Sequence, residues 1–482
     1  MGNEKKHTFS TSDVDVIARL LQQKGFGYRV DRFREENVSR VGNSVTSTFY
    51  FGGGVSRRLF LKTFRPEIYS GTGLIDEGLL EPFRFGGKRA YESTPEPPEE
   101  LCGYEARVLQ IINGFNGNLA PQLVGVVGGD RLLMEFIGTA PLRDPLVEAY
   151  RGIQAGINLK KHRRRANTSI NRGLRTVARA SVEFNNGHEK FGDWVRTVDY
   201  VGDQEAIARY LLTLVSWTRA QSDATEPLDI EETRRELLKP DINVSPEYFA
   251  NSFVQYLRGT TRDEEAVLVH GDSAPHHITS DKRLLDLGNF RRDLEQYDLV
   301  RLLRSPLTET LEPPELTKKI LIYLTYKKVH EGLITEGDLQ GAQTANDLYE
   351  LLERHNISKQ HIRQFIRTFY DVALREHLHM AAATPKYPGD VVRHIVDDHP
   401  KFGRDKSLNE VNRALITWYM GDMQAILNIL LSNPGRKLFV TDPKQQDLLE
   451  GIRVLGERCL FPEESLVDLL NGRSVIGDLL SE

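Results

Sequence analysis

Apolar residues recur along this chain with two different periods, and the change of period divides it. Within residues 11–24, Val14, Ile17, Ala18 and Leu21 fall at helical spacing and predict a short amphipathic helix. From Val38 the period shortens to two. Val45, Phe49 and Phe51 alternate with polar residues over Val41–Phe51, Gly52-Gly53-Gly54 supplies a turn, and Arg58–Phe64 returns as the next strand. Leu101, Val108 and Ile112 then mark the buried stripe of a helix spanning about Glu99–Asn113. Pro121–Val127 and Arg131–Phe136 predict a second strand pair, turned by Gly128-Gly129-Asp130. After a loose, hinge-like stretch at Ile137–Pro141 the helical period dominates, most clearly over residues 315–382. Tyr387-Pro388-Gly389-Asp390 reads as a boundary. Beyond it Leu415, Trp418, Tyr419 and Ile426–Leu431 are expected in a core, Pro434-Gly435 as a break, and Leu466–Leu480 as a last helix. The Gly/Pro-rich stretch Arg65–Pro98 predicts a long loop.

Two charged residues interrupt this pattern where charge is costly. Lys62 sits inside an apolar strand, where the ordinary reading is an edge lysine with its ammonium in water. Glu105 lies on the buried stripe of the following helix, and a carboxylate there needs a cation to offset its desolvation. Lys62 is the nearest cation that the order of elements supplies. A strand lysine held by a helix glutamate is the arrangement that grips nucleotide phosphates in kinases. The small polar turn Gly42-Asn43-Ser44, with its backbone N–H groups and hydroxyl, could cover those phosphates. Read by itself it is an ordinary turn.

The densest chemistry lies in Ala266–Arg304. Val267-Leu268-Val269 leads into His270-Gly271-Asp272, and Leu284-Leu285 leads into Asp286, with a polar turn around Asp281-Lys282 between them. The two apolar runs predict a β-hairpin. Centred on that turn, it places His277 opposite Asp286, where facing Cβ atoms lie roughly 4.5–5.5 Å apart. Two side chains at that separation can share one cation, with Asp272 a short way before the turn. Such a frame suits metal-assisted phosphate chemistry.

Composition narrows the class without deciding it. At 482 residues the chain has room for two or three domains, and 39% hydrophobic with 27% charged residues is ordinary for a soluble globular protein. Two cysteines, Cys102 and Cys459, cannot build a disulfide framework, so a reducing, cytoplasmic setting is expected. No apolar run approaches the roughly 18–20 residues that cross a bilayer, and no membrane association is expected. The start of the sequence lacks the apolar segment of a signal peptide. Between Glu148 and Glu183 no acidic residue occurs while lysines and arginines accumulate over 160–179. A solvated helical surface is the favoured reading of that stretch, and a nucleic-acid face the competing one.

With these pieces placed, the chain resembles the aminoglycoside phosphotransferase-like kinases, a family that includes choline kinase-like enzymes. The resemblance runs over about residues 25–385 and rests on elements met in the family's order. These are Lys62, Glu105 within Tyr-Glu-Ala-Arg-Val-Leu, the hinge-like Leu132–Gly138, His270-Gly271-Asp272, Asp286, and Tyr297-Asp298-Leu299-Val300. It implies an α+β, bilobal protein kinase-like fold. An antiparallel-sheet N-lobe would span 25–137, a mainly helical C-lobe 138–385, and a helical C-terminal extension 386–482. It implies an ATP-dependent phosphotransferase acting on a hydroxyl of a small molecule.

The same resemblance assigns roles. Asp272 would orient the acceptor hydroxyl and take its proton. Asp286 would hold Mg²⁺ and Lys62 the α/β-phosphate oxygens. Backbone groups at Glu135, Phe136 and Ile137 would meet the adenine edge, while His270 and Asp298 would brace the catalytic loop. Two features depart from the family. His277 stands where an asparagine is common, which fits Mn²⁺ better than Mg²⁺ or leaves only a hydrogen bond. Lys62 and Glu105 are 43 positions apart, longer than the family leads one to expect. A protein kinase, or a degenerate kinase fold serving as a nucleotide-binding or interaction module, are the alternatives.

Overall fold

The computed structural model describes residues 11–23, 33–41, 44–51, 57–64, 97–197, 266–305, 308, 316–342, 344–383, 408–447, 449–450 and 453. Gly42, Asn43, most of the 65–98 stretch, the 387–390 turn and the stretch 466–480 lie outside the described residues.

The first part comprises helix α1 (Thr11–Gln23), strands β1 (Phe33–Val41), β2 (Ser44–Phe51) and β3 (Arg57–Phe64), helix α2 (Pro98–Phe115), and strands β4 (Leu123–Val127) and β5 (Arg131–Glu135). The strands form one antiparallel sheet in the order β1-β2-β3-β5-β4. Val41 pairs with Ser44, so the polar entry expected before a single strand instead joins two strands. Lys62 pairs with Thr46 on one side and Leu132 on the other, which puts it in the central strand. The edge-lysine reading is therefore excluded. Side chains alternate across the sheet. Leu59 and Leu61 pack with Ile17, Leu21, Val124, Val127 and Leu133 on the α1 face. Phe60 and Phe64 join Cys102, Val108, Leu109 and Ile112 on the α2 face. Lys62, between Leu61 and Thr63, belongs to the α2 face.

The second part is mainly helical: α3 (Arg143–Gln154), α4 (Leu159–Asn186), strands β6 (Ala266–Val269) and β7 (Arg291–Leu294), then α5 (Gln296–Leu303), α6 (Leu316–His330), α7 (Glu336–Gly341), α8 (Ala345–Arg354), α9 (Lys359–Ala383), α10 (Leu408–Leu431) and α11 (Asn433–Leu438). The 28-residue α4 buries Ile170, Leu174, Val177, Ala178 and Phe184. A Cβ at Gly173 would stand 3.0 Å from Leu302 and 3.2 Å from Leu142, so the missing side chain is what lets α5 and the α3 entry close on this helix. Trp418, Met423, Ile426 and Leu430 of α10 bury in the same core as Phe369 and Leu374 of α9. Asp422 fastens the two helices, accepting from Arg304 at 2.8 Å and standing 2.5 Å from His377. His377, which sequence spacing left as an ordinary surface or core histidine, is thus a buried partner of a carboxylate. The expected break is present: α10 stops at Leu431, and Pro434 and Gly435 belong to the next helix. They sit in the first turn of α11, where Ser432 accepts from the Gly435 N–H and proline lacks a donor that would go unused anyway.

The expected hairpin of Val267–Val269 with Leu284-Leu285 is corrected. Val267–Val269 pairs with Arg291–Asp293, a longer excursion that leaves the residues between free to build a loop. A smaller turn does exist inside it: Ile278 bridges Leu284, and the Leu285 N–H donates to His277 O at 2.8 Å. Its register is one residue away from the expected one, so Leu285 rather than Asp286 lies opposite His277. The architecture as a whole is the α+β, bilobal kinase-like one, a small antiparallel sheet with a helix on each face, followed by a helical lobe. No helix among the described residues is long and apolar enough to cross a membrane.

Candidate active site

The sheet, α2 and the loop between β6 and β7 converge on one group of charges. Lys62 Nζ donates to Glu105 Oε2 and to Asp286 Oδ1, both at 2.7 Å. Lys62 and Glu105 are almost fully buried, at 4% and 1% exposure, while the Asp286 side chain keeps 35%. Burial opposes the Lys62 charge, but Asp286 and Glu105 outweigh it and hold its pKa above the usual lysine range. Burial and the neighbouring charge of Asp286 push the Glu105 carboxyl up, against the pull of Lys62. Asp286 is ionised in spite of burial, with Lys62 and His277 holding it below the ordinary range. The 43-position spacing does not prevent the pair from forming. Glu105 also anchors the loop, since its Oε1 accepts the Leu287 N–H at 3.2 Å and so fixes the segment after Asp286 against α2. Asp286 itself adopts a left-handed backbone, φ 56°, a conformation that non-glycine residues take at a cost.

The loop after β6 is held from below. His270 is fully buried, and its Nε2 lies 2.8 Å from Leu285 O. Asp298, in the first turn of α5, accepts the backbone N–H of His270 at 2.7 Å and of Gly271 at 3.0 Å. Ser273 Oγ donates to Asp298 O at 2.6 Å. Gly271 has φ +81°, and a Cβ there would come within 1.9 Å of Asn289 O. The loop closes only with glycine at this position.

Asp272 emerges from this loop and has both carboxylate oxygens engaged. Arg301 donates to Oδ1 through Nε at 3.1 Å and Nη2 at 2.5 Å, and His277 Nδ1 stands 3.3 Å from Oδ2. Burial would raise the Asp272 pKa, but Arg301 and then His277 hold it well below the usual carboxylate range. His277 lies between the two aspartates. Nδ1 is 2.8 Å from Asp272 O, and Nε2 is 3.6 Å from Asp286 Oδ2. Burial pulls the imidazolium down, yet Asp272 and Asp286 raise it to about 9. His276 packs on the His277 ring at 3.9 Å between centroids, and Asp272, His276 and His277 each present a donor atom within 4.8 Å of the others.

Glu135 is the last residue of β5, with Phe136 and Ile137 following it out of the sheet. Its side chain accepts from Arg283 Nη1 at 2.9 Å, joining the hinge to the turn that carries Asp286. Ser44 begins β2. The structure thus brings Lys62, Glu105, Asp272, His277 and Asp286 together and sets His270 and Asp298 beneath them. Sequence reasoning missed Arg301 and Glu376. Arg301 Nη1 donates to Glu376 Oε1 at 2.9 Å, and Tyr297 Oη donates to Glu376 Oε2 at 2.9 Å. Glu376 is buried among Val372, Ala373 and Leu374 on α9, so the signal that revealed Glu105, a carboxylate on an apolar stripe, was present here too.

Neither a family model nor a curated protein sequence matches this chain. Among solved structures it is similar to an ethanolamine kinase from Plasmodium vivax, with 11% identity, 81% of each chain covered and a TM-score of 0.38. It is also similar to a choline kinase from Cryptosporidium parvum Iowa II, with 10% identity, 86% of this chain and 97% of that one covered, and a TM-score of 0.43. Likenesses this distant carry no functional argument, and the reading of the site rests on its geometry.

Proposed function

We propose that the chain is a nucleotide-dependent phosphotransferase that moves the γ-phosphate of ATP to a hydroxyl of a small molecule. The observation that carries this reading is the Lys62 ammonium shared by Glu105 and Asp286, with Asp272 joined to Asp286 through His277. Phosphoryl transfer asks a protein mainly for alignment and charge neutralisation, and this group supplies both.

On this reading Lys62 turns from Asp286 to the α/β-phosphate oxygens while Glu105 keeps it aimed. Asp272, pinned at Oδ1 by Arg301, offers Oδ2 to the acceptor hydroxyl. The acceptor oxygen forms a bond to the γ-phosphorus as the bond to the β-bridging oxygen breaks, and the hydroxyl proton passes to Oδ2. A carboxylate held this acidic is a weak base, which a loose transition state tolerates. The donor set fits a divalent cation: the half-open Asp286 carboxylate is a hard oxygen ligand suited to Mg²⁺, and the imidazole of His277 suits Mn²⁺ better. Such an ion, when bound, would neutralise phosphate charge.

Turnover of ATP against a panel of amino alcohols and aminoglycosides, with Mg²⁺ and with Mn²⁺, tests the proposal. Asp272→Ala should abolish transfer while preserving nucleotide-induced thermal stabilisation, and Asp286→Ala should lose both. Full transfer in Asp272→Ala would refute it. One observation favours a second reading, a fold that binds nucleotide without transferring phosphate: Arg301 and His277 already occupy both oxygens of Asp272. Metal-dependent stabilisation by ATP with no acceptor phosphorylated across the panel would select that reading.

A further inference from the structure

The structure divides the basic stretch of α4 in two. At its start, Arg165 pairs with Glu148, and Lys160, Lys161, Arg163 and Arg164 are exposed. Farther along, Arg172, Arg175 and Arg179 form one half-buried stripe at i, i+3 and i+7. The turn between Ile278 and Leu284 is tied to α4 at two points around this stripe. The Leu142 N–H donates to Ile278 O at 2.7 Å, and Leu142 packs where a Gly173 side chain would be. The Leu284 N–H donates to Leu119 O at 2.8 Å, in the loop whose Asn116 binds Glu183 of α4. Lys282 sits at the tip of that turn with φ 71°, its N–H on Thr279 O. Slight burial and then Arg175, with Arg172 and Arg179 behind it, pull the Lys282 pKa down, and Glu336 opposes them.

Counter-charge is incomplete here. Glu336 pairs with Arg175 and Glu183 with Arg179, while Arg172 and Lys282 make no ion pair among the described residues. His330 does not add to the balance; burial and the same arginines keep it on the neutral side. From Arg172 to Arg179 the helix rises about 10 Å, more than one phosphate group can bridge. We propose that Arg172, Arg175, Arg179 and Lys282 form a binding site, outside the nucleotide cleft, for a compact polyanion carrying several phosphate groups. The binding stands apart from the phosphotransferase reading. Only its consequence rests on that reading: an occupied site would steady the turn that carries His277 and Asp286.

Isothermal titration with inorganic tripolyphosphate in the presence of chelator tests the site. Saturable binding is expected, weakened about tenfold by Arg172→Gln and again by Lys282→Gln, since each removes a charge-assisted contact, and retained in the stability-balanced double variant Lys62→Met with Glu105→Leu. Arg172→Lys, which keeps the charge, should restore most of the affinity and separates charge from packing if the glutamine variant folds poorly. The proposal is overturned by absence of saturable binding, by affinity unchanged in both glutamine variants, or by loss in the Lys62→Met, Glu105→Leu double variant alone, which would put the anion at Lys62. An RNA oligonucleotide that binds more tightly than tripolyphosphate and depends on Lys160 and Arg164 instead would also overturn it. Failure to find ATP turnover would leave the titration result standing.

Discussion

Arg301 holds Asp272 through two nitrogens on a single carboxylate oxygen, Oδ1, and so leaves the other, Oδ2, to His277. Removing the guanidinium should free the carboxylate to rotate and let its pKa climb back toward the ordinary range. Arg301→Gln is expected to lower kcat about ten- to hundredfold, equivalent to about 1.4–3 kcal/mol, with the KM for nucleotide unchanged. The acid limb of the kcat–pH profile should move to higher pH, because Asp272 then protonates earlier. A purely structural role would lower activity without moving that limb.

His277 contributes a pH dependence to the metal-free protein. Its folded pKa, about 9, is above the ordinary histidine value of 6.5, so the charged form is the one that folding favours. The stabilisation is then complete below pH 6.5 and is lost as pH rises through 9. Thermal melts in chelator should show Tm falling across that window by more than in His277→Asn. Parallel pH profiles for the two proteins would remove His277 from the account.

Lys62 is a buried cation answering two carboxylates. Lys62→Met should destabilise the fold by about 3–5 kcal/mol, since it leaves Glu105 without its partner in the core, and should cancel stabilisation by ATP. Lys62→Met together with Glu105→Leu should recover most of the stability but none of the nucleotide response. Chemical denaturation of both variants separates the two effects.

Gly271 is fixed by close approach. Gly271→Ala forces a Cβ onto Asn289 O and strains a left-handed backbone. The expected cost is about 2–4 kcal/mol, and the loop bearing Asp272 should lose order. Hydrogen exchange at His270–Ser273 reports this directly, faster in the variant if the contact matters.

Asp422 makes a parallel case far from the cleft. Asp422→Asn leaves Arg304 and His377 buried against a neutral group, and should lower stability by about 3 kcal/mol while ATP-induced stabilisation persists. If nucleotide binding vanished while the melt stayed intact, α10 would have a direct role at the cleft.

The sequence made legible whatever an alternation or a stripe could carry. Lys62 and Glu105 stood out because each broke an apolar pattern at a position where charge must be answered, and the structure joins them. β1 was invisible because Phe33–Val41 reads as charged and polar with no continuous apolar face. The misplaced pairing of Val267–Val269 has a related cause. Arg291-Arg292-Asp293-Leu294 offers only one apolar residue, while Leu284-Leu285 looked like a strand and proved to be part of a short turn. Arg301 escaped for a different reason. An arginine on a helix normally reads as surface, and only the folding of α5 under the loop after β6 turns it toward Asp272.

The contact between the end of β5 and the turn bears on the position of Asp286. Glu135 and Arg283 meet at 2.9 Å, and three residues beyond Arg283 the same chain segment delivers Asp286. The end of β5 and the segment that delivers Asp286 are therefore joined by one ion pair, its side chains 22% and 38% exposed. On the phosphotransferase reading, that pair couples the place of the metal-binding carboxylate to the edge of the sheet. Glu135→Gln should weaken the coupling by no more than about 1 kcal/mol, read as a smaller thermal stabilisation by ATP with the ligand-free melt almost unchanged.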